Sequence, residues 1–425
     1  MPALIILLLF LALCAINVPI AVSLGLVALG AMVLSLGEAG LMNAAIVMFE
    51  GARSFPLIAI PLFVLAGGIM NATSISRRLI AFCGALIGFV RGGLAMVTIV
   101  ASMFFAEISG SAVADVAALG SVLIPAMKRR GYPKELAASV MSSAASLAII
   151  IPPSIPMILY AAIADTSVVK LFVAGIAPGV LGGLLLMVVA YWQAARLKLP
   201  AESAFGLAEL WRTFHEAGLA LLLPVIILGG IFGGVVTATE GAALAVVAAI
   251  AIGLIYRELN LDVLYTALVD GVVQTSIVML LVAASALLGV YLTETHLPQR
   301  LAQSMMQLTD NRYVILALLN VVFFVLGFFL HGAAAIILVV PIAMPLIKAV
   351  GIDPVHFGIL VTLNIAIGQQ TPPVASVLMI ACSIAKSNMW ETSRVNVWFI
   401  AALIAVLLLV TYVPLTSLAL VHLFY

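Results

Sequence analysis

The sequence predicts an all-α polytopic membrane protein made of two related halves, with about ten crossing helices, two re-entrant hairpins and two helices broken at Pro-Pro pairs. Three observations predict it. Hydrophobic residues make up 65% of the 425 residues and charged residues only 8%, whereas soluble domains carry about a quarter charged residues. Apolar runs long enough to cross a bilayer recur along the whole chain. Prolines and glycines then repeat at a constant offset of 220 residues.

So few charges cannot cover a water-facing surface, so most of the outer surface is expected to face a lipid bilayer. A net charge of +1 gives no reason to expect a nucleic-acid partner. Cys14, Cys83 and Cys382 show no CxxC spacing and read as packing thiols. The opening MPALIILLLF has no basic residue before its apolar run. It therefore reads as a span that stays rather than a cleaved signal.

A crossing helix needs roughly 20 apolar residues. Candidate spans lie at 3–17, 19–36, 55–72, 133–164, 171–193, 218–234, 237–256, 271–292, 353–386 and 393–422. Two stretches, 92–130 and 313–350, are too long for one straight helix. Each is interrupted midway, by EISGS at 107–111 and by GFFLHG at 327–332, and reads as a hairpin that enters and leaves by the same side.

The cations test this reading. With 92–130 as a hairpin, Arg77, Arg78, Arg91, Lys128, Arg129, Arg130 and Lys134 all fall on the cytoplasmic side. Arg196, Lys198, Arg212, Arg257, Lys386 and Arg394 join them, as the positive-inside rule asks, and both termini lie outside. Arg53, Arg300, Arg312 and Lys348 fall outside and run against the rule. Reading 92–130 as one crossing would scatter the clusters.

At the offset of 220, Pro125 falls on Pro345, Lys128 on Lys348, Gly131 on Gly351 and Pro152–Pro153 on Pro372–Pro373. The order surface helix, hairpin, broken helix, final span recurs in both halves. Equivalent elements are separated by an odd number of crossings, so the halves are expected to be inverted. Inverted repeats with paired broken segments mark secondary transporters.

A Pro-Pro pair removes two backbone donors and forces the preceding residue out of the helical region. Broken backbone at membrane depth is tolerated where it lines a cavity or is buried in protein. The break bares carbonyls, which suit a hard cation, and amide donors, which suit a carboxylate. The first cluster is Ser109, Gly110 and Ser111 at the hairpin tip facing Ile151, Pro152, Pro153 and Ser154, with Asp115 one turn into the return helix. The serines read equally as helix caps. The second cluster is Gly327 to Gly332, including His331, facing Gly368, Gln369, Gln370, Thr371, Pro372 and Pro373, with Asn364 before the break. The glutamines read either as ligands or as interhelical hydrogen-bonding groups, and His331 as a ligand-facing donor or a satisfied tip residue. Glu107, Glu240 and Asp270 fall in or near apolar runs, and a helix–helix hydrogen bond is the favoured role for Glu240. No P-loop, HExxH or GxSxG occurs, which argues against an ATP-driven pump or a membrane hydrolase.

The run SGSAVADVAALGSVLIPAMKRRGYP, followed by IIIPPSIPMILYAA and later GQQTPPVASVLMIA, resembles the large membrane subunit of tripartite ATP-independent periplasmic (TRAP) transporters. The resemblance runs over essentially the whole chain. It implies an elevator-type importer in a bacterial inner membrane, driven by sodium ions and not an enzyme. It also implies two partners, a small four-helix membrane subunit on a separate chain and a periplasmic substrate-binding protein. The solute would be a small carboxylate such as a C4-dicarboxylate, sialic acid or keto acid. Sodium would sit at Ser109, Gly110, Ser111, Ile151, Pro152 and Pro153, and again at Gly327, Gly332, Gln369, Gln370, Thr371 and Pro372. Solute would meet Asp115, Ser154, His331 and Asn364. Asp115 matches an acidic position usual in the family, whereas many members carry an aspartate where this chain has His331. Scaffold would comprise 1–90 and 196–312, and the moving body 91–195 and 313–425. The competing readings are a binding-protein-independent divalent-anion or citrate transporter and a non-transporting membrane scaffold.

Overall fold

The computed structural model describes residues 8–10, 12–13, 16, 18–201, 205–309, 311–330 and 332–425. His331, Cys14 and most of the span expected at 3–17 lie outside them. Every regular element among the described residues is helical.

The first half runs through Ile20–Leu36, Glu38–Ala52, a 3-10 turn at Phe55–Ile58 leading into Ala59–Ala72, and the amphipathic Ile75–Ile87. Next come the hairpin arms Gly93–Ser109 and Ala112–Arg129, then Lys134–Ala145 with a 3-10 turn at Ser146–Ile149. Beyond the break lie Ile155–Ala164 and Val168–Arg196. The second half runs Leu207–Phe232, Ala238–Ile255, Leu261–Glu294 and Leu297–Leu308. Its hairpin arms are Arg312–Phe329 and Gly332–Ala349, its broken helix Pro354–Gly368 and Ser376–Ala385, and its end Met389–Tyr412 and Leu415–Phe424. The return arms Ala112–Arg129 and Gly332–Ala349 coincide under the 220-residue offset at both ends. Pro152–Pro153 and Pro372–Pro373 are both cis.

The halves are interleaved. Ile155–Ala164 packs on the second half's return arm Gly332–Ala349, and Ser376–Ala385 packs on the first half's Ala112–Arg129 and Lys134–Ala145. Two hydrogen bonds fasten the exchange. Lys128 Nζ donates to the Ala385 carbonyl at 2.8 Å, a cation at the carbonyl end of a helix. The Tyr160 hydroxyl donates to the Pro354 carbonyl at 2.6 Å. Leu261–Glu294 packs along Ile20–Leu36, Glu38–Ala52 and Ala59–Ala72. Leu184, Val188 and Trp192 stand exposed along Val168–Arg196, as a lipid-facing surface requires.

Both hairpins and both breaks form where the sequence places them, and several boundaries move. Among the described residues, seven helices are long and apolar enough to cross a membrane. One is the hairpin arm Gly332–Ala349. The span expected at 393–422 is two helices, separated at Val413–Pro414, because proline there cannot donate to the preceding turn. Glu38–Ala52 is a helix that the span list omits. The spans at 218–234 and 271–292 begin earlier, at Leu207 and Leu261, since amphipathic turns extend past the apolar window. Glu240 is exposed and closes a capping box with Thr237, so its carboxylate serves its own helix start instead of a neighbouring helix.

Candidate functional site

The first tip is a tight reversal. Gly110 adopts φ +57°, the left-handed conformation that closes the preceding helix. Ser111 caps the next helix by accepting from the Ala114 amide at 3.4 Å. The Gly110 carbonyl accepts the Ile155 amide at 3.3 Å, which is a direct backbone bond from tip to break. A Cβ on Gly110 would lie 3.0 Å from the Pro153 carbonyl oxygen and 3.1 Å from the Ile155 nitrogen. Only glycine lets the tip sit this close. Behind the break, a Cβ on Gly175 would meet the Ile150 oxygen at 2.4 Å, so Val168–Arg196 presses on it with bare backbone.

Ser109 Oγ donates to Asp115 Oδ1 and accepts the Ser111 amide at 3.2 Å. Asp115 is 1% exposed, and its buried Oδ2 has no hydrogen-bond partner among the described residues. The Ser154 hydroxyl donates to the Ile149 carbonyl at 2.8 Å. The serines are therefore caps in part, as one of the two readings holds, yet the Asp115 carboxylate keeps one oxygen open.

The second cluster has the same plan in different chemistry. Gly327 lies within the first arm of the hairpin, one turn before the tip, because the helix continues to Phe329. A Cβ on Gly368 would lie 2.6 Å from the Gly327 Cα, so two backbones touch there. A Cβ on Gly332 would fall 2.7 Å from Gln369 Nε2, which sets the Gln369 amide against the tip. The Val374 amide bonds the Phe328 carbonyl at 3.3 Å, again joining tip to break. Thr371 Oγ1 donates to the Ile367 carbonyl at 2.8 Å. Asn364 Nδ2 donates to Asn320 Oδ1 and to the Leu360 carbonyl, both at 2.8 Å, while its buried Oδ1 has no partner among the described residues. Gln370 is fully buried, and its side-chain oxygen lies 2.6 Å from the Ser143 hydroxyl.

Between the clusters lies a cavity of about 380 Å³. Gly110, Ser111 and Ile155 wall it from the first half, Ala333 and Gln369 from the second. Val64, Gln274 and Val278 close it from Ala59–Ala72 and Leu261–Glu294. Its size suits a small solute, since ligand pockets run about 300–1,000 Å³. Of the residues assigned to solute, Asp115, Ser154 and Asn364 lie off this wall, and His331 is not among the described residues. Gly110, Ser111 and Gln369, assigned to sodium, line it. Gln274 escaped the sequence reading; the signal was an amide within a long apolar helix. An apolar groove of about 640 Å³ lined by Phe82, Leu86, Leu207, Trp211 and Phe214 lies elsewhere and offers nothing to orient a polar solute.

Paired hairpin tips meeting paired helix breaks across one cavity place the chain in the class of polytopic membrane transporters. The fold is similar to that of the Alcanivorax borkumensis YdaH transporter, with a TM-score of 0.65 at 15% identity over 88% of each chain. Residues 7–416 match the family described as tripartite ATP-independent periplasmic transporter, DctM component. The chain belongs to that family. It is 40% identical over 379 residues to the C4-dicarboxylate TRAP transporter large permease protein DctM of Pseudomonas aeruginosa, covering 89% of each. It is 36% identical over 412 residues to the sialic acid large permease SiaM of Vibrio cholerae, covering 96% of each. Against the isethionate permease DctMQ of Oleidesulfovibrio alaskensis it is 41% identical, spanning 94% of this chain and 63% of that protein.

Proposed function

We propose that the chain is the membrane-crossing subunit of a sodium-driven importer that moves a small carboxylate through the central cavity. The observation that carries this reading is the cavity, walled by both hairpin tips, by Gln369 beside the second break and by two neighbouring helices. A carboxylate there finds the Ser111 hydroxyl and the Gln369 and Gln274 amides. Its class is supported by relatives named for C4-dicarboxylate, 2,3-diketo-L-gulonate and sialic acid transport. A small four-helix membrane subunit and a periplasmic binding protein would complete the system in a bacterial inner membrane.

The buried acceptors fit a hard cation, which binds oxygen ligands and tolerates backbone carbonyls. Among the described residues, Asp115 Oδ2 in the first cluster and Asn364 Oδ1 in the second both lack a partner. An unpaired buried acceptor is costly, and sodium at each cluster would remove the cost. Ser109, Gly110, Ser111, Pro153 and Asp115 would hold the first ion. Gly332, Gln369, Thr371 and Asn364 would hold the second. The side chain of Gln370 is held by the Ser143 hydroxyl.

Hairpins and broken helices at 91–195 and 313–425 would move as one body against 1–90 and 196–312, because their half-helices are exchanged between halves. Sliding of one half against the other would tear the Lys128–Ala385 and Tyr160–Pro354 bonds. Uptake of succinate and N-acetylneuraminate into vesicles carrying the complete system tests the coupling. Ser109→Ala with Ser111→Ala is expected to raise the sodium needed for half-maximal uptake. Unchanged sodium dependence in a folded double variant would remove the first ion from the proposal.

A further inference from the structure

The helix Leu261–Glu294 is apolar for most of its length but carries Asp262, Thr266, Asp270 and Gln274 at intervals of four residues. Side chains four apart lie on one helix face, so these make a single polar stripe about 18 Å long. All are exposed. The stripe lies in a groove of about 490 Å³ whose opposite wall is Val64, Gly68, Asn71 and Ala72 of the helix Ala59–Ala72. Close backbone approach forms its floor: a Cβ on Gly68 would lie 3.8 Å from the Ala267 Cβ, and one on Gly271 3.9 Å from the Leu65 Cα. Val64 and Gln274 belong to both this groove and the central cavity. The other end opens beside Asp262, just past Arg257. Apolar neighbours off the stripe, Val272 and Val273, are 62% and 55% exposed and face outward as lipid-facing side chains do.

Two carboxylates and an amide on the face of a membrane helix are expensive against hydrocarbon and settle beside water or a polar partner. The shared wall at Gln274 decides between these. We propose that the groove between Ala59–Ala72 and Leu261–Glu294 is a water-filled route joining the central cavity to the membrane face that carries Arg257. Gln274 is then the stationary polar contact at the junction, passed by solute on its way through. This rests on the reading of the cavity as the solute site. Because the carboxylates of Asp262 and Asp270 repel an anionic solute, the route favours solute that travels with its cations.

Thiol labelling of the full chain, in cells and in inside-out vesicles, tests this without any solute. Cys14, Cys83 and Cys382 are first replaced by alanine. Single cysteines at 262, 266, 270 and 274 should all react with membrane-impermeant methanethiosulfonate from the Arg257 side, at least tenfold faster than Val272→Cys. Blocking Thr266→Cys with a maleimide too large to enter the cavity should slow labelling of Ser111→Cys from that side at least tenfold. Stripe cysteines that react only with lipid-soluble N-phenylmaleimide, or with no reagent because a partner helix covers them, would overturn the route. So would Ser111→Cys labelling unaffected by the block, which leaves the cavity reading standing. Ser111→Cys unreactive from both faces would bring down both.

Discussion

The Ser143 hydroxyl lies 2.6 Å from the side-chain oxygen of Gln370, joining two broken helices 227 residues apart in the chain. Asn396 completes the cluster, its Oδ1 2.9 Å from the same hydroxyl and its Nδ2 3.4 Å from the Gln370 oxygen. All three side chains are buried. One hydroxyl proton serves one acceptor at a time, so the amides of Gln370 and Asn396 share the rest of the bonding. A second bond, from Ser139 Oγ to the Thr392 carbonyl at 3.2 Å, extends the seam.

Gln370→Ala is predicted to lower stability by roughly 0.6 kcal/mol and at most about 1.7 kcal/mol, the average and maximum for interhelical hydrogen bonds in a membrane protein. The melting temperature of the purified chain reads this directly. Sodium half-saturation should stay where it was, since the amide is engaged between helices. A shifted sodium requirement at unchanged stability would return Gln370 to the ion site.

Gly368→Ala is predicted to abolish uptake while leaving the protein in the membrane. Its Cβ would lie 2.6 Å from the Gly327 Cα and 2.7 Å from the Gly327 carbonyl carbon, and backbone atoms cannot turn aside as side chains do. Gly84→Ala is the control. No atom lies within 4 Å of its Cβ position, and alanine in place of a helical glycine stabilises by about 0.5–1 kcal/mol. Equal uptake by the two variants would mean that the tip and break need not touch.

Asp115→Asn should weaken sodium activation more than Ser109→Ala does. The first change can replace the open Oδ2 acceptor with an amide donor, the second removes only the hydroxyl partner on Oδ1. Uptake titrated against sodium from about 1 to 100 mM would resolve a tenfold shift, which corresponds to about 1.4 kcal/mol. The reverse order would point to Ser109 as the ligand and Asp115 as its support.

Cysteines at Arg91 and Arg129 are predicted to label from the cytoplasm only, and one at Lys348 from the outside only. Arg129 and Lys348 are exposed and sit at the helical ends of the two return arms. Gly131 and Gly351 are poorer probes, because φ values of +86° and +67° strain any other residue. Opposite-side labelling of positions 91 and 129 would undo the first hairpin's re-entrant reading.

Val113 on the first hairpin and Val278 on Leu261–Glu294 wall the same cavity. A short bifunctional reagent joining cysteines there is predicted to arrest uptake. An elevator stroke displaces the pair by one to three helical turns, each about 5.4 Å. Full transport by the cross-linked protein would refute the elevator.

The sequence alone determined what local chemistry dictates. Low charge and long apolar runs require a bilayer-facing helical chain, and Pro-Pro pairs must interrupt a helix because two donors are missing. The offset repeat then places each break beside a glycine-bearing tip. Which way a side chain faces was decided by the tertiary structure, because partners on other helices choose it. Lys128 reads as one more cytoplasmic cation until Ala385 offers a carbonyl. Gln370 reads as a ligand or as an interhelical bonding group, and only the fold sets Ser143 and Asn396 against it. Asp115 reads as a cavity residue until Ser109 folds over it. Gln274 carries no motif at all. Periodicity marks a buried face, but only the packed neighbour decides whether that face meets protein, solute or water.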